Sequence, residues 1–231
     1  MAEPRVALVI PAGGAGSRMG TRTPKQFLRI GRRSILEATL AHFQAPPLVH
    51  EIVIALPEAH IPRARRWLGR HQARRRPMPG LVVGGATRQE SVWRALQANR
   101  DRDIDIVVVH DGVRPFITRD LVRRVVRAAV AHGAAICALP IAETVKRVRD
   151  EVVEATLDRS DLWAVQTPQA FRYPLLRDAH EKALRDGVVG TDEAMLVERL
   201  GHPVRVVRGL ESNIKVTTPA DLRRAQAWAR R

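Results

Sequence analysis

Apolar runs of strand length recur along this chain at intervals filled by helix-patterned sequence, and that alternation restricts the fold more than any other feature. The runs are RVALVIPA from residue 5, EIVIALP from 51, LVVGG from 81, DIVVVHD from 105, AAICALPI from 134 and PVRVVRG from 203. Their length and β-branched content mark them as strands. The segments between them carry helix start and stop signals. Ser34 with Glu37 and Thr87 with Glu90 have capping-box spacing, and Thr118 precedes RDLVRRVVRAAVAHG, in which Gly133 takes the helix-ending position. Thr218-Pro219 opens a last helix with proline at its tolerated first position. Strands alternating with helices predict a Rossmann-like α/β fold, a mostly parallel sheet with helices on both faces. Such sheets bind ligands at the carboxyl ends of their strands, so the residues that follow each run matter most.

One stretch breaks the rhythm. Between ALPI and the helix PLLRDAHEKAL lie TVKRV, a polar RDE and VVEATL, which read as two short strands around a turn. Such an inserted β-hairpin is either a decorated loop or an arm that reaches a partner chain, and the residues favour neither. With no internal repeat, low-complexity tract or linker, the expectation is one domain over 1–231 with an arm at about 140–162.

Composition excludes several classes. A chain of 231 residues that is 45% hydrophobic can bury a sizeable core. No apolar run approaches the ~18 residues of a membrane span, and the N-terminus lacks the pattern of a secretion signal, which points to a cytoplasmic location. A lone cysteine, Cys137, sits inside an apolar run and reads as a buried strand residue. The net charge of +15 raises nucleic-acid binding as a possibility. However, many arginines lie in helical stretches such as RARRWLGRHQARRR, where a solvated face explains them, and no base-stacking strand or zinc finger is present. Of 39 basic residues only four are lysine (Lys25, Lys146, Lys182, Lys215), and three of these lie beside Gly, Pro or Thr in loop or strand contexts. Their placement is therefore more informative than that of the arginines.

The first run ends in IPAGGAGSRMGTRTPKQ, residues 10–26, a glycine-rich turn carrying three cations, of which Arg18 and Lys25 are expected within reach of a bound anion. It is not a Walker A loop, because Gly20 is followed by Thr21 and Arg22. The dinucleotide fingerprint fails as well, since Met19 stands where its third glycine belongs. What remains is a loop whose backbone amides can approach an anion. Downstream, Asp111 in HDGVRP offers a carboxylate at a strand end, where a hard cation such as Mg²⁺ would bridge it to phosphate oxygens. GGATRQESV places Gly84, Gly85 and Ser91 at another strand end. DRSDLWAVQTPQAF sets Arg159 and Thr167 near a turn, GTDEA sets Thr191 at a helix start, and SNIKVTTPADL holds Lys215 before the last helix.

Taken in order and spacing, PAGGAGSRMGTRTPKQFL, GGATRQESV, HDGVRP, TVKRV, LWAVQTPQAF, TDEA and NIKVTTPADL resemble the 2-C-methyl-D-erythritol 4-phosphate cytidylyltransferases almost end to end. Two small departures stand out: Gly13 where the family commonly has Ala, and Gly-Val between Asp111 and Arg114 where Ala-Ala is more usual. Neither removes a chemical group. The resemblance implies a nucleotide-diphospho-sugar transferase fold and transfer of CMP from CTP to methylerythritol phosphate with Mg²⁺, in non-mevalonate isoprenoid synthesis. It implies that Arg18, Lys25, Arg159 and Lys215 are catalytic. Ala12, Gly13, Gly14, Ala15 and Gly16 would hold the nucleotide and its phosphates, and Gly85, Ser91 and Gly112 its base and ribose. Asp111 would hold Mg²⁺, and Asp111, Arg114, Thr144, Arg159, Thr167, Thr191 and Lys215 would contact the sugar phosphate. It also implies a homodimer that exchanges the hairpin arm. His110 reads as structural rather than catalytic. A cytidylyltransferase acting on ribitol 5-phosphate, and a basic nucleic-acid-binding protein on the same scaffold, remain as rival readings.

Overall fold

The computed structural model describes residues 3–13, 19, 23–44, 48–71, 77–100 and 102–230, with side chains 70 and 71 left aside. Among these, seven strands form one sheet: β1 (Val6–Pro11), β4 (Glu51–Leu56), β5 (Gly80–Val83), β6 (Ile106–Val109), β7 (Ala134–Pro140), β10 (Trp163–Arg172) and β11 (Arg205–Arg208). Their order is β11-β7-β10-β6-β1-β4-β5. The remaining strands pair outside this sheet, β2 (Arg29–Ile30) with β3 (Arg33–Ser34), and β8 (Val145–Arg149) with β9 (Val152–Leu157).

Alternation along each strand splits the core in two. On β1, Val6, Leu8 and Ile10 face one side, where α1 (Ile35–Gln44) and α4 (Arg119–His132) cover them through Leu36, Leu40, Phe43, Leu121 and Val125. Ala7 and Val9 face the other, against α3 (Arg88–Gln97), α5 (Tyr173–Arg185) and α6 (Glu193–Glu198). Two-sided burial is what a parallel sheet requires, and it gives β1 and β6 no polar side chain. Two further helices, α2 (Ile61–His71) and α7 (Pro219–Trp228), complete the described set. α7 packs Ala225 into a small third cluster with Ile30, Ile35, Val113 and Val216.

The helix signals act as the sequence predicts. Thr87, Thr118 and Thr218 each accept a backbone N–H three residues on, and Ser34 does the same for Glu37. Gly133 ends α4 at φ +89°, where a Cβ would also meet the His202 ring at 2.8 Å. The expected turn near Thr167 is different. Residues 163–172 form a ten-residue strand, antiparallel between β6 and β7, with a register shift between Gln166 and Gln169. The polar Gln-Thr-Pro-Gln run hides it from an apolar-run reading. Proline has no N–H for the ladder, so the bulge sits where the ladder must break. The β8–β9 hairpin leaves the sheet between β7 and β10, within the range given to the arm.

Leu40 of α1, fully buried against the sheet, sets the scale of the core's contribution. Leu40→Ala is expected to lower unfolding free energy by about 2–5 kcal/mol, measured as a shift in urea midpoint at unchanged slope.

Candidate active site

Along the strand order the chain leaves β1 toward β4 in one direction and β6 toward β7 in the other, so the crevice at the carboxyl ends of β1 and β6 is the topological switch point. A cavity of about 370 Å³ lies there. Its walls include Ala12 and Gly13 after β1, Lys25 and Gln26, Gly85 to Arg88 and Ser91 at the start of α3, Asp111 to Val113 after β6, and Lys215. Two of the four lysines, 190 positions apart, therefore meet in one cleft.

Local chemistry explains how each wall is held. Gln26 donates its side-chain amide to the Ala12 carbonyl at 3.1 Å, tying the turn that carries Lys25 to the end of β1. Ser91 is buried with its hydroxyl engaged, accepting from Gly85 N at 3.1 Å and donating to Thr87 O at 2.9 Å, so it braces the Gly85 loop. Gly112 has no room for a side chain, because a Cβ would lie 2.8 Å from Ile10 Cγ2 and 3.1 Å from Leu36 Cδ1.

Asp111 is the electrostatic centre. Lys215 Nζ lies 2.9 Å from its Oδ2, Arg88 Nε 3.5 Å from Oδ1, and Arg114 Nε 3.5 Å from Oδ2. Burial alone would raise its pKa, but Lys215, Arg88 and Arg114 together hold it well below the usual carboxylate range. Its backbone N–H donates to Thr167 Oγ1 at 3.0 Å. Arg114 lies beneath the cleft and donates Nη1 to the Asn213 carbonyl at 2.7 Å. The neighbouring His110 is fully buried, and burial pushes its imidazole down to about 3, so it is neutral near pH 7. Cys137 is likewise withdrawn from chemistry, its buried thiol pushed up to about 12.

Not every expected residue reaches this cleft. Thr167 is buried behind Asp111, at the bulge of β10 rather than in a turn. Thr191 is exposed just before α6, near Met195. Thr144 and Arg159 are exposed at the base of the hairpin, and Arg159 donates to the Ala142 carbonyl; neither lines the cavity. Gly14, Ala15, Gly16 and Arg18 lie outside the described residues.

The sequence reading missed Arg88. In GGATRQESV it stands among glycines that drew the attention, in a chain where arginine is the commonest cation. Its Nη1 donates to both oxygens of Glu193, at 2.8 and 2.7 Å, and Glu193 is only 1% exposed. Burial opposes the Arg88 charge, yet Glu193 and Asp111 raise its pKa above the usual arginine value. Glu193 thereby anchors a cation in the cleft wall from below.

Removing that cation has a signed consequence. Burial already pushes Glu193 upward, and without Arg88 its folded pKa rises further above the unfolded one. Such a carboxyl loses stability as pH climbs through that interval. Arg88→Met is expected to cost about 3–5 kcal/mol at pH 7.5 and to recover part of it, relative to wild type, as pH is lowered toward 5, read from urea unfolding at both values.

Comparison with known proteins agrees with this geometry. The family model for 2-C-methyl-D-erythritol 4-phosphate cytidylyltransferase matches residues 6–231. Proteins of that name from Symbiobacterium thermophilum and Syntrophotalea carbinolica are 48% and 46% identical, each over 96% of this chain and over 91% and 95% of their own lengths. The crystal structure of the Thermus thermophilus protein of that name superposes with TM-score 0.81 at 39% identity, covering 98% of this chain and all of the other. A 4-diphosphocytidyl-2C-methyl-D-erythritol synthase from Anaerococcus prevotii gives 0.85 at 30% identity, covering 99% of each. The sheet is thus of the nucleotide-diphospho-sugar transferase type, and this chain belongs to the 2-C-methyl-D-erythritol 4-phosphate cytidylyltransferase family, a family of nucleotidyltransferases.

Proposed function

We propose that this protein transfers CMP from CTP to 2-C-methyl-D-erythritol 4-phosphate, releasing pyrophosphate and the CDP-alcohol, as a step of isoprenoid synthesis. The observation that carries the reading is the convergence of Lys25, Lys215 and Arg88 on one cleft at the switch point of the sheet, the last two of them on a buried, ionised Asp111. An oxygen of the sugar phosphate attacks the α-phosphorus of CTP, and the bond to the β-phosphate oxygen breaks. The attacking phosphate is already anionic near neutral pH, its second pKa being about 6, so the reaction needs no general base. His110, buried and neutral, is not placed as one. The demand instead is for fixed cations where charge accumulates on the α-phosphoryl oxygens and on departing pyrophosphate. Lys25 meets it on the β1 side, and Arg18 is proposed for the same role. Lys215 meets it on the acceptor side.

Ala12 and Gly13, continuing through Gly14, Ala15 and Gly16, offer backbone to the nucleotide, while Gly85, Ser91 and Gly112 shape the place of base and ribose. Asp111 would face the sugar phosphate, held from behind by Arg114 and Thr167, and Thr191 is proposed to contact it from the start of α6. The donor set suits Mg²⁺ in one respect only: Asp111 is a single carboxylate, and no cluster of three or more ligating side chains exists among the described residues. One carboxylate completed by substrate phosphates is how Mg²⁺ is commonly held. Asp111 would be its protein ligand, and the ion would offset phosphate charge.

The hairpin arm supports a homodimer. Val148, Val152 and Val153 are 55%, 66% and 55% exposed on a pair of strands that bond only to each other among the described residues. We assign this apolar arm to a second copy, where it would carry Thr144 and Arg159 to the partner's cleft. No helix among the described residues is long and apolar enough to cross a membrane.

The deciding experiment is pyrophosphate release with CTP and Mg²⁺ and either methylerythritol phosphate or ribitol 5-phosphate, with ATP, GTP and UTP as controls. Release with CTP and methylerythritol phosphate alone is expected; turnover with ribitol phosphate instead would overturn the acceptor, and none with any pair the whole reading. Lys25→Ala and Lys215→Ala should each lower kcat/KM by about a hundredfold or more, the unfolding midpoint moving little for Lys25→Ala and falling for Lys215→Ala, which takes a cation from buried Asp111. Val152→Asp with Val153→Asp should shift the protein to monomer by light scattering and abolish most activity.

A further inference from the structure

His110 follows β6 and precedes Asp111, with its ring against Phe43 (centroids 5.4 Å apart, tilted 55°), sealed from water. Its two nitrogens face different partners: Nε2 lies 3.4 Å from the Arg114 carbonyl and Nδ1 3.1 Å from Thr167 Oγ1. A carbonyl can only accept, so the Nε2 contact is a hydrogen bond when Nε2 carries the proton. In neutral imidazole Nδ1 is then a lone pair. The Thr167 hydroxyl donates to it and turns its oxygen to the Asp111 N–H, which lies 3.0 Å away. The donors run one way, from Asp111 through Thr167 to His110, and His110 donates in turn to Arg114. The Asp111–Arg114 turn, itself closed by Arg114 N–H on the Asp111 carbonyl, is thus held at both ends by one imidazole.

The same bulge reaches the other half of the site. The Thr167 carbonyl accepts from Asn213 Nδ2 at 2.8 Å, and the Asn213 carbonyl accepts from Arg114 at 2.7 Å. Asn213 is two residues from Lys215, so the placing of Thr167 bears on both members of the Lys215–Asp111 contact. We propose that His110 is a positioning residue for the transfer reaction, setting the Thr167 hydroxyl and through it the Asp111 turn against the Lys215 loop. This rests on the role given to Asp111 above. His110 touches no reacting atom.

The test is a double-mutant cycle, which separates residues acting as one unit from residues that merely support the fold. Steady-state constants for both substrates, with unfolding midpoints, are measured for His110→Phe, Thr167→Val, the double variant and Asp111→Asn. Each single variant should lower kcat/KM for methylerythritol phosphate by about ten- to a hundredfold through misplacement, with KM for CTP changed less than about threefold. The double variant should be no worse than the worse single. His110→Asn, whose amide oxygen can stand where Nδ1 was, should recover most of the loss. His110→Gln, which keeps a donor toward Arg114 but not that acceptor, should not, and it replaces His110→Phe in the cycle if that variant fails to fold. Losses that multiply in the double variant, or full activity without the Nδ1 acceptor, would overturn the proposal. Full activity of Asp111→Asn would overturn instead the role of Asp111 on which it stands.

Discussion

A carboxylate with almost no access to water stays ionised here because cations surround it. Burial of Asp111 in isolation would cost several kcal/mol and drive it to take up a proton. Lys215, Arg88 and Arg114 reverse that balance, and each comes from a different part of the chain. The start of α3, the turn after β6 and the loop before α7 therefore close on one another through a charge that none could bury alone. Glu193 extends the network by securing Arg88 from the opposite side, which draws α6 into the same arrangement.

This also defines what the cleft offers an anionic ligand. Lys25, Arg88 and Lys215 line the cleft beside Asp111, and with Glu193 set against Arg88 from below the described walls still keep an excess of positive charge. Lys215, with its side chain 41% exposed, is the partner of Asp111 best able to turn toward a phosphate, whereas Arg114 is committed below. Two arginines committed to buried partners and a half-exposed lysine are suited to different parts of a reaction in which charge shifts from one phosphate to another.

Much of this was legible in the sequence where the pattern was apolar. Strands β1, β4, β6 and β7 are buried on both faces, and their apolar runs give them away, together with the cleft-lining residues that follow β1 and β6. The lysines were legible for the opposite reason. Scarcity made Lys25 and Lys215 stand out, and both line the cavity. Arg88 carried the same chemistry without the scarcity, and its distinguishing partner Glu193 is 105 residues away, a pairing only the fold reveals. Strand β10 escaped because its middle, Gln166 to Gln169, is polar for the sake of the bulge and of contacts to Asn213, Leu210 and Asp192. A reading by hydrophobic run sees a loop wherever side-chain hydrogen bonds fill a strand.

The position of β10 gives the arm a mechanical character. Its two ends pass through residues 141–144 and 158–162 into β7 and β10, which pair from Pro140–Trp163 inward, and the Ile141 N–H on the Leu162 carbonyl carries that pairing one step toward the hairpin. The hairpin is a cantilever clamped by a ladder, and the bulge with Thr167 lies only four residues inside the clamp. A load placed on the tip is therefore delivered as a bending moment to the strand that supports the Asp111 turn.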